Sequence, residues 1–237
     1  MVTLPSPVVA IILARGGSKG IPRKNVMAFH GRPLIAWTIL QVIEAGIADV
    51  YVSTDDSEIA DVAIEYGAKV IARPAELAGD TASSDEGVIH AINELGLADD
   101  AIVVMPQVTS PLRWAAHISA VAQLVESGDF DSAFTANRVD DICVWSLGEA
   151  PRSVTYDFES RAMRQARPPM VVENGSVYCT RVGAMRQSGN RMSGRIGVSL
   201  MPKWTMPEID DPEDVQLCEV LLAAYADTLQ VDGRQGS

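Results

Sequence analysis

The stretch ARGGSKGIPRKN, residues 14–25, combines residue types that could bind an anion. Three glycines lie among the four cations Arg15, Lys19, Arg23 and Lys24, in a chain with a formal net charge of −12. Glycines let a backbone approach an anion closely and point its amides at phosphate oxygens, while lysine and arginine supply positive charge. The stretch therefore predicts a polyphosphate-binding loop. The alternative is a glycine-rich turn whose charges only keep it solvated.

This loop differs from the two commonest phosphate-binding motifs. The sequence GGSKG matches neither the dinucleotide fingerprint GxGxxG nor the Walker pattern GxxxxGK[ST]. The absence of GxGxxG disfavours a nicotinamide-dependent dehydrogenase.

A second group of polar residues lies in EIDDPED, residues 208–214. In an extended segment, Glu208 and Asp210 project to one face and Ile209 to the other. Neighbouring carboxylates repel each other unless a cation lies between them, and hard oxygen ligands together with phosphate suit Mg²⁺. The spacing predicts a Mg²⁺ site at Glu208 and Asp210. The alternative is that these acids only serve the start of the following helix.

Composition narrows the function classes. The 237 residues, 47% hydrophobic, can bury a sizeable core as one domain. The 31 acidic against 19 basic residues argue against a nucleic-acid or membrane-surface partner, because such partners demand a broad basic surface. The three cysteines are widely spaced and form no CxxC pair, which disfavours a disulfide framework or a zinc site. With no basic leader and no membrane-length apolar run, we expect a cytoplasmic protein.

Strand-like and helix-like apolar patterns alternate along the chain, and these elements must position the polar residues. Strands are predicted at 8–14, 49–54, 69–72, 101–105, 131–136, 176–180 and 196–201. Helices are predicted from Pro33 to 45, from an N-cap at Ser57 to Gly67, from Ser84 to Leu95, over 114–127, and after an N-cap at Asp211. The order predicts an α/β fold with a Rossmann-like, doubly wound, mostly parallel sheet.

The predicted fold places the basic loop at a functional edge and leaves one segment unexplained. Residues 14–25 follow the first strand directly, at the carboxyl edge where such sheets bind ligands. Residues 138–170 show no sustained periodicity, so we predict a single domain over 1–237 with a small irregular arm at about 138–170.

Seven short motifs lie in order along residues 8 to 217. They are ILARGGSKGIPRKN (12–25), VSTDD (52–56), RPAELAGDTASS (73–84), QVTSPLR (107–113), RQ (164–165), ENGSVY (173–178) and EIDDPED (208–214). Together they resemble the acylneuraminate cytidylyltransferases, the enzymes that make CMP-sialic acid and its relatives. A single match would be weak, but seven in the correct order are hard to obtain by chance.

The resemblance implies attack of an acceptor hydroxyl on the α-phosphate of CTP, with release of pyrophosphate and with Mg²⁺ as cofactor. It implies nucleotide contacts from Ala14, Arg15, Gly16, Gly17, Ser18, Lys19, Asn25, Arg73 and Ser84. It makes Lys24 the first choice for a catalytic cation, with Arg15 and Lys19 beside it. The alternatives are a mobile surface lysine at position 24, a simple helix cap at Ser84 and a solvated side chain at Arg73.

On the acceptor side the resemblance implies contacts from Gln107, Arg164, Gln165, Asn174 and Tyr178. Three departures from the family pattern stand out. Val172 replaces a family arginine, residues 187–198 lack the aromatic residues that some members place against the sugar's acyl group, and Glu208 replaces the first aspartate of an Asp-x-Asp pair. The last departure leaves open whether Glu208 binds the metal directly.

We therefore expect a CTP-dependent cytidylyltransferase that acts on an acidic acceptor, a sialic-acid-like nonulosonic acid. A smaller acid, such as a Kdo-type sugar or a phosphonate like phosphonoformate, is the alternative acceptor. A non-catalytic nucleotide-binding module is the alternative of another class. In proteins that this chain resembles, arms like 138–170 exchange between subunits, so we expect a homodimer.

Overall fold

The central sheet has seven strands in the computed structural model, which describes residues 7–79, 82–139, 142–160, 162–163, 165 and 168–232, with side chains to Tyr225. In chain order the strands of this part are β1 (Val8–Leu13), β2 (Ala28–Phe29), β3 (Arg32–Pro33), β4 (Asp49–Thr54), β5 (Lys69–Ala72), β6 (Ile102–Pro106), β7 (Ser132–Arg138), β8 (Trp145–Ser146), β9 (Arg152–Ser153), β10 (Val171–Arg181) and β11 (Ile196–Met201). The sheet order is β11-β7-β10-β6-β1-β4-β5.

Helices cover both faces of this sheet. They are α1 (Leu34–Glu44), α2 (Ser57–Glu65), α3 (Ser84–Glu94), α4 (Ala115–Glu126), α5 (Val182–Ser188) and α6 (Pro212–Asp232). Strands β6, β1, β4 and β5 are parallel neighbours, β11 is parallel to β7, and β10 runs antiparallel to both β6 and β7. The predicted mostly parallel, doubly wound α/β sheet is confirmed, with one reversed strand that the apolar pattern did not indicate.

The first strand shows why the sheet must be covered on both sides. Ala10 and Ile12 pack with α1, α2 and α4, whereas Val9 and Ile11 pack with α3 and α5. Successive side chains of a strand point to opposite faces, so an unbroken apolar run buries both faces. Ile12 is fully buried, and burial of such a side chain contributes about 2 kcal/mol.

Two predicted helix caps are wrong by one residue. The side chain of Asp56, not of Ser57, accepts the Ile59 amide at 3.0 Å. Ser83, not Ser84, caps α3 and forms a reciprocal capping box with Glu86. In both places two residues suited to capping are adjacent, and the second has already taken up the helical conformation.

The predicted helix ends at Gly67 and Asp211 are confirmed. Gly67 has φ of +93° just beyond α2, and the carboxylate of Asp211 accepts the amides of Glu213 and Asp214 at the start of α6. No helix in the described part of the chain is both long and apolar enough to cross a membrane.

The described residues of the arm contain little regular structure. Strands β8 and β9 form a small two-stranded hairpin there. Its exposed apolar side chains include Trp145, Leu147 and Phe158, and Leu147 is 91% exposed. The hairpins β2–β3 and β8–β9 and the short helix α5 were not predicted, because each is too short to show a periodic pattern.

Candidate active site

A cleft of about 550 Å³ opens at the carboxyl edge of the parallel strands. Its wall includes Leu13 at the end of β1, Arg73 directly after β5 and Gln107 directly after β6. Open α/β sheets bind ligands at this edge, because the loops that leave the strands converge there. The predicted site residues on its wall are Arg15, Ser18, Lys19, Lys24, Asn25, Arg73, Ser84, Gln107 and Asp210.

The basic loop forms one side of this cleft and is held internally. Asn25 is buried and donates its side-chain amide to the Arg15 carbonyl at 2.9 Å, so the two ends of the loop are tied together. The Arg15 guanidinium donates to the Gly79 carbonyl at 3.1 Å, across the cleft. Ala14, Gly16 and Gly17 belong to the same loop but are not on the cleft wall.

Lys24 connects the basic loop with the distant segment 208–210 by hydrogen bonds to Ile209 and Asp210, which lie 185 and 186 residues further along the chain. Its Nζ donates to the Ile209 carbonyl at 2.9 Å and to Asp210 Oδ1 at 3.0 Å, and its side chain is only 13% exposed. Gly20 allows this approach, since a Cβ there would lie 2.1 Å from the Asp210 carbonyl oxygen. Lys24 is therefore a nearly buried cation with two hydrogen-bond acceptors, which disfavours the alternative of a mobile surface lysine.

Arg73 also lies on the cleft wall. Its Nε donates to Ser53 Oγ at 3.1 Å and its Nη2 donates to the Ser53 carbonyl. Desolvation by burial lowers the pKa of Arg73, and Arg15 nearby lowers it further. Arg73 is thus a buried cation held in place, which excludes the alternative of a solvated side chain. Ser84 lies on the cleft wall, and its predicted role as a helix cap belongs to Ser83.

The two predicted metal ligands lie in different surroundings. Asp210 is exposed on the cleft wall, whereas Glu208 is half-buried and does not line the cleft. The carboxylate of Glu208 packs against Gly175, where φ is +63° and an added Cβ would lie 1.8 Å from Oε1. Desolvation, followed by the charge of Asp210, raises the pKa of Glu208, and a hydrogen bond from Thr109 opposes this rise.

The structure therefore provides one carboxylate on the cleft wall, Asp210, and a second one, Glu208, close enough to interact with it electrostatically. No group of three or more histidine, cysteine, aspartate or glutamate side chains suited to a metal ion occurs within the described residues. The donor set fits a hard divalent cation only if phosphate oxygens complete its coordination.

The predicted acceptor residues are only partly brought together. Gln107 lies on the cleft wall and Gln165 is exposed, while Arg164 lies outside the described residues. Asn174 is buried, and its Oδ1 accepts from Thr135 Oγ1 at 2.7 Å. The Tyr178 hydroxyl donates to Glu173, and desolvation together with this bond raises the pKa of Tyr178. Asn174 and Tyr178 thus engage neighbouring protein groups and do not line the cleft.

Arg113 is a residue of the cleft region that the sequence did not single out. It is fully buried and donates to the carbonyls of Gln107 at 2.7 Å and Ser110 at 2.6 Å and to Thr38 Oγ1 at 2.6 Å. Burial lowers its pKa to about 9. It fixes the loop after β6, which carries Gln107 and Thr109. Its position in the motif QVTSPLR was the one available signal.

Comparison with known proteins shows which family the sequence resembles. A family model described as Cytidylyltransferase matches residues 9–168. N-acylneuraminate cytidylyltransferase B of Danio rerio is 35% identical over 214 residues, which cover 89% of this chain and 50% of that protein. The N-acylneuraminate cytidylyltransferase of Streptococcus agalactiae serotype III is 29% identical over 214 residues, covering 87% and 51%. The chain spans about half the length of these curated relatives.

Solved structures show the same fold at low sequence identity. The structure of CMP:2-keto-3-deoxy-manno-octonic acid synthetase complexed with CTP has a TM-score of 0.69 and 17% identity, covering 93% of this chain and 100% of that chain. The 4-diphosphocytidyl-2C-methyl-D-erythritol synthase of Anaerococcus prevotii has a TM-score of 0.66 and 11% identity, covering 92% and 97%. At these identities the likeness concerns the fold.

Proposed function

Because the chain belongs to the cytidylyltransferase family, we propose that it transfers CMP from CTP to an acidic acceptor, a sialic-acid-like nonulosonic acid, with release of pyrophosphate. The observation that carries this proposal is Lys24, an ordered cation that faces the cleft beside Asp210. Mere nucleotide binding does not require a fixed cation and a carboxylate together at the phosphates, so the pair favours catalysis over a non-catalytic module.

The cleft supplies what phosphoryl transfer requires. Negative charge develops on the phosphoryl oxygens in the transition state, and fixed cations stabilise it without reorganising. In this proposal Arg15 and Lys19, which line the cleft, would bind the triphosphate, and Lys24 would contact the α-phosphate. Arg73 and Ser84, which also line the cleft, would hold the cytidine. Because Lys24 is held by Ile209 and Asp210 beforehand, it loses little side-chain entropy when CTP binds.

Asp210 and Glu208 are the residues that would hold Mg²⁺ in this enzyme. Asp210 would supply an exposed carboxylate oxygen to the cation, and the half-buried Glu208 would add a second negative charge. When bound, Mg²⁺ would neutralise charge on the triphosphate oxygens. Burial raises the pKa of Glu208, and the charge of Asp210 raises it further; a cation beside the two carboxylates would offset the second of these causes.

An acceptor screen tests the proposed function. The protein would be incubated with CTP, Mg²⁺ and one acid at a time, and pyrophosphate release would be measured. We expect release with N-acetylneuraminate or a related nonulosonic acid. Release only with a Kdo-type sugar or a phosphonate such as phosphonoformate would transfer the proposal to a smaller acid, in line with Val172 and the absence of aromatic residues from 187–198. No release with any of these acids would contradict cytidylyl transfer.

We further propose that the protein is a cytoplasmic homodimer whose partner subunit covers the acceptor side of the cleft. The exposed apolar side chains Trp145, Leu147 and Phe158 of the arm support this, because a small hairpin cannot bury them by itself. Sedimentation at micromolar concentration is expected to give twice the mass of the chain. A monomer at that concentration would contradict the proposed dimer.

A further inference from the structure

Arg23 is a cation of the basic loop that does not line the cleft. Arg15, Lys19 and Lys24 line the cleft, whereas the guanidinium of Arg23 lies on the first turn of α2. Nη1 donates to Asp56 Oδ2, Nη2 donates to Asp56 Oδ1 at 3.1 Å, and Nη2 also donates to Glu58. Arg23 thus binds two carboxylates of a different element, 33 and 35 residues further along the chain.

The backbone of Arg23 is in a conformation that side chains rarely adopt. Its φ is 59° and its ψ is 27°, and among the described residues His30 is the only other non-glycine residue with positive φ. The Arg23 carbonyl accepts the amides of Val26 at 3.0 Å and Met27 at 3.1 Å, so the 3-10 turn Lys24–Val26 starts from this residue. A strained residue that starts the turn of Lys24 needs something to hold it in place.

Asp56 lies at the start of α2, in contact with both the beginning and the end of the basic loop. It caps α2 through the Ile59 amide, and its Oδ2 would lie 2.6 Å from a Cβ on Gly16. The neighbouring Asp55 accepts the Gly16 amide at 3.0 Å. Two consecutive aspartates therefore hold the loop near its beginning at Gly16 and near its end at Arg23. The pairing with Arg23 lowers the pKa of Asp56.

We propose that Arg23 is a positioning residue, whose ion pairs with Asp56 and Glu58 hold the turn Lys24–Val26 so that Lys24 Nζ stays beside Asp210 in the cleft. This role rests on the proposed cytidylyl transfer, because Lys24 is the group that it serves. Arg23 is 42% exposed, and exposed ion pairs contribute little to global stability. The effect of the ion pairs is therefore local, on the position of one cation.

Two substitutions separate the ion pairs from the backbone conformation. Arg23→Met removes the charge and keeps the unfavourable φ, whereas Arg23→Gly removes the charge and relieves the φ. We expect both to lower kcat about tenfold or more, because displacement of a catalytic group by ~1 Å can cost about 10²-fold. The KM for CTP should stay within about threefold and the melting temperature within about 4 °C. Arg186→Met is the matched control, because Arg186 forms an exposed ion pair with Asp99 at the opposite edge of the sheet.

A double substitution tests whether Arg23 acts through Lys24. In the Lys24→Met background, Arg23→Met should cause no further loss, since the group that it positions is already gone. A repeated loss in that background would overturn the proposal, as would a kcat within about twofold of the parent in Arg23→Met or restored activity in Arg23→Gly. A parent protein that fails the acceptor screen refutes the proposed function itself, and the role of Arg23 with it. An active parent with unaffected Arg23 variants refutes the role of Arg23 alone.

Discussion

Replacement of Lys24 by methionine is expected to lower kcat about 100-fold or more while the protein remains folded. A lysine about 4 Å from a phosphate oxygen contributes on the order of 4 kcal/mol at an effective dielectric constant of ~20, before desolvation is subtracted. Loss of even ~3 kcal/mol of this in the transition state is about 100-fold in rate. Methionine keeps the length and the apolar stem of lysine, so the packing of the nearly buried side chain is largely retained.

Lys69→Met is the matched control for this experiment. Lys69 pairs with Asp49 at 2.8 Å, much as Lys24 pairs with Asp210. Lys69 and Asp49 are the first residues of β5 and β4, so this pair lies at the edge of the sheet opposite the cleft. Initial rates of pyrophosphate release and melting curves would be measured for both variants. Activity of Lys24→Met within about threefold of the parent would assign catalysis to another group.

Replacement of Asp210 by asparagine is expected to reduce activity and to raise the Mg²⁺ concentration needed for half-maximal rate about tenfold or more. Metal affinity of this kind of site depends on hard anionic oxygens, and loss of even an indirect partner of a metal typically costs 10–100-fold. The substitution also removes the carboxylate that holds Lys24. The Mg²⁺ requirement separates the two causes, because displacement of Lys24 lowers the rate at every Mg²⁺ concentration.

Two further variants complete the metal experiment. Glu208→Asp restores the Asp-x-Asp pair: direct coordination predicts retained or improved Mg²⁺ affinity, whereas the fit of Glu208 against Gly175 predicts a loss. Asp211→Ala is the control, because Asp211 caps α6 and should affect the melting temperature alone. An unchanged Mg²⁺ requirement in Asp210→Asn, with a lowered melting temperature, would make Asp210 a structural acid.

The positions of most core strands could be predicted because a buried strand requires an apolar or alternating run in the local sequence. The bounds of β4, β5 and β11 agree with the predicted ones, and each run is apolar or alternating over four to six residues. The direction of β10 could not be predicted, because the apolar pattern of a strand is the same whichever way the strand runs. The caps at Asp56 and Ser83 were missed by one residue for a related reason: capping preference is shared by neighbours, and the backbone conformation decides between them.

The sequence by itself determined the kinds of chemistry available to this protein: a glycine-rich basic loop after the first strand, a carboxylate pair near the end of the domain and an ordered series of family motifs. Only the tertiary structure decided which of these groups meet. Lys24 reaches Asp210, Glu208 packs against Gly175 and Arg23 binds Asp56, although these pairs are separated by 33 to 186 residues. Periodicity and capping reflect neighbours within a few residues, whereas these contacts depend on how the strands are ordered in the sheet. Gly20 and Gly175 resemble other glycines in the sequence. Only the structure shows why glycine is needed there, because Asp210 and Glu208 occupy the space that a side chain would fill.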